Sequence, residues 1–236
     1  MSLDKKRFRG VLKKLEIPSD LIGVLLVYVY VAIILFVSEK VLDKLPLYVS
    51  RKFLHVMVGN IAFILPVFQT KEVMAFLAAG PFILFTFLMS PYSPVKSMQD
   101  KTSSAGHGMG LVYYSIAWTV LAYLFFDHKE VIAIGILAMS YGDGLASLIG
   151  MKFGRKKYMI WDDEKSFVGS LGMFVFTLIT SIFALLFYGV SISDKFLIIV
   201  YVSFVATFAE GVTPKGLDNL SVPFIAAFLY AVYFII

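Results

Sequence analysis

Apolar runs of about 17 or more residues recur from Leu21 to the C-terminus of this 236-residue chain. A chain built this way must satisfy its backbone polar groups without water, which leaves only helices or a closed barrel. The runs are continuous rather than alternating, so a barrel is excluded and strands are not expected. The expected fold is all-α: a polytopic integral membrane helical bundle of about eight transmembrane segments. They lie near 21–37, 53–68, 73–89, 108–126, 131–150, 168–188, 195–209 and 220–236. Several are short for a full crossing, which predicts thin or polar-lined regions.

Residues 1–20 form a basic leader and 21–236 a single transmembrane catalytic domain. Six Lys/Arg between Leu3 and Ile17 alternate with Phe8, Val11, Leu12 and Leu15 at helical spacing. That pattern predicts an amphipathic N-terminal helix lying on the membrane surface. No small-residue cleavage site marks the first apolar run as a removable signal. The chain has no cysteine, which removes disulfides, thiolate catalysis and Cys-ligated zinc. Its net charge of +5 suits a membrane surface, and no nucleic-acid partner is expected.

The connections differ in character. Those at 69–72, 127–130 and 189–194 are short, whereas 38–52, 90–107, 151–167 and 210–219 are longer and polar. An even number of crossings separates each long connection from the next, so all four share one side. That side carries 12 Lys/Arg, including Arg51, Lys52, Lys101 and Lys165. The positive-inside rule therefore places it in the cytoplasm, although the basic leader argues the other way.

The candidate chemistry lies on this face. Asp143, between Gly142 and Gly144, falls inside an apolar stretch, where a carboxylate is costly without a cavity, a cation or a metal. The two glycines predict freedom to leave helical geometry and close approach of a ligand. Arg51, Lys52 and His55 stand at the mouth of the second segment. Their cations suit phosphate, and His55 suits proton transfer, hydrogen bonding or simply a place in the bundle. Lys101, Ser103, Ser104 and Gly106 belong to a hydroxyl- and glycine-rich loop before a helix, a possible anion cradle but not a Walker A loop. Lys165, Ser166 and Gly169 open the sixth segment with a cation, a hydroxyl and a helix start. Asp162, Asp163 and Glu164 before them read as solvated loop acids. Asn219 reads as an N-cap or as a polar contact for a ligand. Asp143, Glu210 and Asp218 gather three carboxylates on one face, and oxygen ligands favour Mg²⁺ or Mn²⁺.

The order of these motifs resembles the polyprenol kinase family of integral-membrane, CTP-using lipid kinases, which includes dolichol, phytol and diacylglycerol kinases. The matching pieces are Arg51-Lys52-x-x-His55, Lys101-x-Ser103-Ser104 with Gly106 and Gly110 before Tyr113-Tyr114, and Gly142-Asp143-Gly144-x-Ala146-Ser147-x-x-Gly150. Lys165-Ser166-x-x-Gly169-Ser170, Glu210 and Leu217-Asp218-Asn219-x-x-Val222-Pro223 complete the series, which spans about 50 to 225. The resemblance implies transfer of the γ-phosphoryl group of CTP to the hydroxyl of a membrane lipid alcohol, most simply a long-chain isoprenoid. It implies Asp143, with Glu210 or Asp218, as metal ligands. Arg51, Lys52, Lys101, Ser103, Ser104, Gly106, Gly142, Gly144, Lys165, Ser166, Gly169 and Asn219 would serve the nucleotide and its phosphates. His55 or one of the acids would orient or deprotonate the hydroxyl. Two other activities fit the same residues less closely: a CTP:lipid-phosphate cytidylyltransferase, and an anion or lipid transporter.

Overall fold

A helix that is apolar around its whole circumference must be surrounded by protein or lipid. Lys129–Phe153, with residues 131–140 buried without interruption, is surrounded by protein. This computed structural model describes residues 18–40, 45–98, 108–161, 163–214 and 216–234. The expected leader helix over Leu3 to Ile17, and Lys101, Ser103, Ser104 and Gly106, lie outside the described residues.

Among the described residues the chain is helical apart from one small hairpin. Helix α1 is Ser19–Lys40 and α2 is Leu47–Val58, which tightens into 3-10 turns at Gly59–Phe63 and Leu65–Val67. Helix α3 is Val73–Met89, α4 is Gly110–Leu124 and α5 is Lys129–Phe153. Strands β1 (Lys157–Ile160) and β2 (Asp163–Ser166) precede α6 (Phe167–Phe187), α7 (Phe196–Val212) and α8 (Asp218–Phe234). Every predicted apolar segment falls on one of these helices. Only α1, α5 and α6 are long and apolar enough to cross a membrane by length and composition, and the other apolar helices are shorter.

Helix α5 is the axis. Its apolar window is 72% buried, against 22% for α1 and 33% for α6. The outer helices present lipid-type side chains outward, such as Leu25 and Phe36 on α1 and Leu171 and Phe183 on α6. Small residues let the helices meet α5 closely, as van der Waals packing in lipid requires. A Cβ on Gly135 would come within 2.6 Å of the Pro223 carbonyl and 3.0 Å of Ala227 on α8. On the other side, a Cβ on Gly150 would lie 3.3 Å from Cα of Gly169 on α6. A half-buried polar chain joins α1, the 3-10 turn after α2, and α5: Asn60 donates to Tyr30 at 3.0 Å and accepts from Tyr141 at 2.7 Å.

The hairpin departs from the expectation of no strands and of a plain loop over 151–167. Tyr158 opposes Lys165 across it, while the exposed side chains of Lys157 and Glu164 meet at 2.5 Å. The Tyr158 hydroxyl shares a 2.7 Å hydrogen bond with Ser170 and so fastens the hairpin to α6. Glu164 is therefore a strand residue rather than a loop one, and is solvated as expected. Asp163 is a strand residue too, and Asp162 lies outside the described residues.

Candidate active site

Helix α5 changes pitch where its chemistry begins. Ala138–Asp143 is a π-helical segment, a form that often marks functional sites, and it ends on Asp143. Both flanking glycines nonetheless keep helical geometry, contrary to the freedom expected of them. Their use is packing. A Cβ on Gly142 would collide with Thr177 and Met173 of α6, and one on Gly144 with Val56 of α2. Neither glycine lines the site, so close approach here is between helices and not between backbone and ligand.

Asp143 faces a polar basin of about 590 Å³ at one end of the bundle. Residues from α2, the start of α4, the end of α5, the hairpin, α6 and the turn before α8 line it, so widely separated pieces of sequence do converge. Asp143, Glu210 and Asp218 bring one carboxylate oxygen each to within 4.8 Å of one another. At that spacing in a poorly solvated site the acids repel one another, and each gain in charge must be offset by a cation. Lys52 donates to Oδ2 of Asp143 at 2.9 Å. Lys165 donates to Oε1 of Glu210 at 2.6 Å and also to the Glu210 carbonyl. Burial alone would lower the pKa of Lys165, but Glu210 beside it, with Asp218 and Asp143, outweighs burial and holds it above the ordinary lysine value.

His55 completes this cluster. Its Nε2 lies 3.0 Å from the Met139 carbonyl and 3.3 Å from Oδ2 of Asp143. Both oxygens accept, so in this geometry Nε2 carries a proton. Tyr114 supports the turn from beneath, its hydroxyl 2.7 Å from Ser140 and donating to the His55 carbonyl at 3.2 Å. Ser147 donates to the other oxygen of Asp143 at 3.4 Å.

The remaining expected contacts fare differently. Arg51 lines the basin and makes no ion pair among the described residues. Ser166 caps α6 by accepting from the Gly169 amide at 3.0 Å, and the Phe167 amide donates to the Lys156 carbonyl at 3.2 Å. Two amides of that helix start are thus engaged within the protein, so it offers an anion less than its sequence suggests. Gly169 and Ser166 form wall, and the missing Cβ of Gly169 admits α5. Asn219 does not cap α8: the helix begins at Asp218, whose carboxylate takes the Asn219 amide at 2.9 Å. The Asn219 Oδ1 is buried with no partner among the described residues, at the edge of the basin. Tyr158, Tyr114 and Met139 support the site without having been expected to. Their signal in the sequence is slight, since buried tyrosines and backbone carbonyls occur in any bundle.

Among the described residues, four cationic side chains (Arg51, Lys52, Lys157 and Lys165) and five carboxylates line the basin. A polyphosphate entering alone would meet more acids than cations. A hard divalent cation at the three carboxylates reverses that balance, and an all-oxygen donor set fits Mg²⁺ or Mn²⁺.

Fold and site together define a helical membrane protein whose polar chemistry is gathered at one end of its bundle. The chain is 30% identical over 184 residues to a phytol kinase of Synechocystis sp., covering 75% of this chain and 76% of that protein. It is 31% identical over 193 residues to phytol kinase 1, chloroplastic, of Arabidopsis thaliana, covering 74% of this chain but 62% of the longer plant protein. The chain belongs to the polyprenol kinase family of lipid kinases, as its motifs led us to expect. No family model matches the chain, and no solved structure matches it significantly.

Proposed function

We propose that this protein is a multi-pass membrane kinase that transfers the γ-phosphoryl group of CTP to the hydroxyl of a membrane isoprenoid alcohol. The observation that carries the reading is the convergence of Asp143, Glu210 and Asp218 within 4.8 Å, walled by Arg51, Lys52 and Lys165. Phosphoryl transfer is chiefly positioning and charge neutralisation, and this basin supplies both. The relatives' being phytol kinases supports an isoprenoid alcohol as the acceptor. The choice of CTP rests on the family resemblance. The excess of Lys/Arg in the long connections supports a basin that faces the cytoplasm.

Asp143, with Glu210 or Asp218, would hold Mg²⁺ or Mn²⁺, which supplies neutralisation of the triphosphate charge. Arg51 is placed to take phosphate oxygens directly. Lys52 and Lys165, paired with Asp143 and Glu210 here, would exchange a carboxylate partner for a phosphate one. His55 orients the acceptor hydroxyl and receives its proton at Nδ1, held in that tautomer by the Met139 carbonyl.

Labelled nucleotide tests the reading. Purified protein in lipid nanodiscs is given CTP labelled either at the γ-phosphate or in the cytosine, or ATP, with an isoprenoid alcohol. The γ-label alone is expected in the lipid, with CTP preferred. Cytosine label in the lipid would make the protein a cytidylyltransferase, and absence of both would sink the assignment.

A further inference from the structure

A second cavity, of about 490 Å³, lies between α1, α2, α3 and α4, and its lining is apolar except near its mouth. It shares two residues with the polar basin, His55 and Leu111, and so borders the basin there. From there it runs along α4 from Leu111 to Ala122, 11 residues, or roughly 16 Å at helical rise. Its far end is closed by Leu65, Phe68, Met74 and Ala122, each at most 2% exposed. An apolar cavity that borders the polar basin at His55 suits an amphiphile with a polar head and a single hydrocarbon tail.

We propose that this cavity holds the tail of the acceptor alcohol and measures its length, restricting the enzyme to alcohols of the fifteen- to twenty-carbon class. The inference rests on the kinase reading above and adds to it the site and size of the tail. At about 30 Å³ per heavy atom, the share of a water molecule in the liquid, 490 Å³ admits on the order of 16 heavy atoms. Packing at the higher density of protein interiors raises that towards 20. An alcohol of this size places its hydroxyl at His55 and its last methyls against Met74 and Ala122. A dolichol-length chain would leave most of its carbons outside, with no matching apolar burial to select it.

Chain-length profiles and a binding measurement test the proposal. Turnover in nanodiscs with CTP is measured for isoprenoid alcohols of ten, fifteen, twenty and at least forty-five carbons. The wild type is expected to favour fifteen and twenty carbons at least tenfold over the longest. Ala122→Phe fills the floor and is expected to lower the twenty-carbon alcohol at least tenfold relative to the ten-carbon one. Met74→Ala deepens the floor and is expected to raise the relative use of longer chains, a gain that misfolding cannot mimic. Ratios unchanged in both variants overturn the proposal. Binding is read without nucleotide from Trp118, which lines the cavity, after Trp161→Phe removes the other of the two tryptophans. A brominated sixteen-carbon alcohol should quench Trp118 saturably, more than brominated phospholipid does, and Ala122→Phe should abolish the saturation. Saturable quenching without phosphorylation of any alcohol retains the tail site and removes the kinase reading. Phosphorylation without saturable quenching or length response retains the kinase and removes the tail site.

Discussion

Lys52 on α2 and Asp143 on α5, 91 positions apart in the chain, meet at 2.9 Å at the floor of the basin, both with side chains about nine-tenths buried. A buried pair of this kind is weak support for stability but costly to break from one side, because the survivor keeps its charge without a partner. Lys52→Met alone should therefore destabilise the protein by about 3 kcal/mol or more. Adding Asp143→Asn should restore much of that loss without restoring turnover. Thermal unfolding in detergent, beside the labelled-CTP assay, separates the two effects; stability that stays low in the double variant would contradict the pairing.

Asp143→Asn by itself breaks the same pair from the other side while relieving repulsion with Glu210 and Asp218. The variant should lose stability yet leave a folded, extractable protein whose turnover falls by about a thousandfold, the scale expected when an electrostatic contact to the reacting group is removed. Substantial residual turnover would remove Asp143 from the metal site.

Glu210→Gln and Asp218→Asn test the other two carboxylates. Each should raise the Mg²⁺ concentration needed for half-maximal activity about tenfold, since each removes one charged oxygen ligand. A Mg²⁺ titration of each variant gives the answer, and an unchanged titration for both would restrict the site to Asp143.

Ser166 and Lys165 are neighbours with different work. Ser166→Ala removes the cap of α6 and should cost about 1 kcal/mol of stability, with less than a tenfold loss of turnover. Lys165→Met should lose at least a hundredfold in turnover. Equal kinetic losses would mean that the Ser166 hydroxyl contacts the nucleotide.

Gly144→Ala should be destabilising by about 1–3 kcal/mol, because its Cβ would strike Val56 across the α5–α2 contact. Val56→Ala in the same chain should recover most of that loss. Failure of the second substitution to rescue would place the strain elsewhere.

The membrane explains why so much of this arrangement is legible in the sequence. Apolar runs must become helices in lipid, and parity alone brings Arg51, Asp143, Lys165 and Asp218 to one end. Residue type then points to the carboxylates, which the structure does bring together. What the sequence hides is whatever depends on a neighbour's shape. Gly142 and Gly144 invite a ligand when read alone, and only the positions of Thr177, Met173 and Val56 reveal a packing role. Ser166 and Gly169 look like an anion site until one is seen to occupy the other. The hairpin escapes because Lys157–Ser166 has no apolar alternation, its pairing resting on Tyr158 and the Lys157–Glu164 contact. The apolar cavity has no signature at all, since residues that line a void are the same types that fill a core.

The unequal burial of α1 and α5 sets which parts of this protein can move. Displacing α5 would disrupt contacts on every flank at once, whereas α1, among the described residues, has a single protein-facing side. The acid-bearing rod thus acts as a stator, and α1 as the wall with least to lose by swinging outward. Any breathing that admits a long hydrocarbon from the bilayer can therefore run through α1 while Asp143 stays in register with Lys52. Spin-label distances from α1 to α5, which should broaden far more than those from α6 to α5, would report that division.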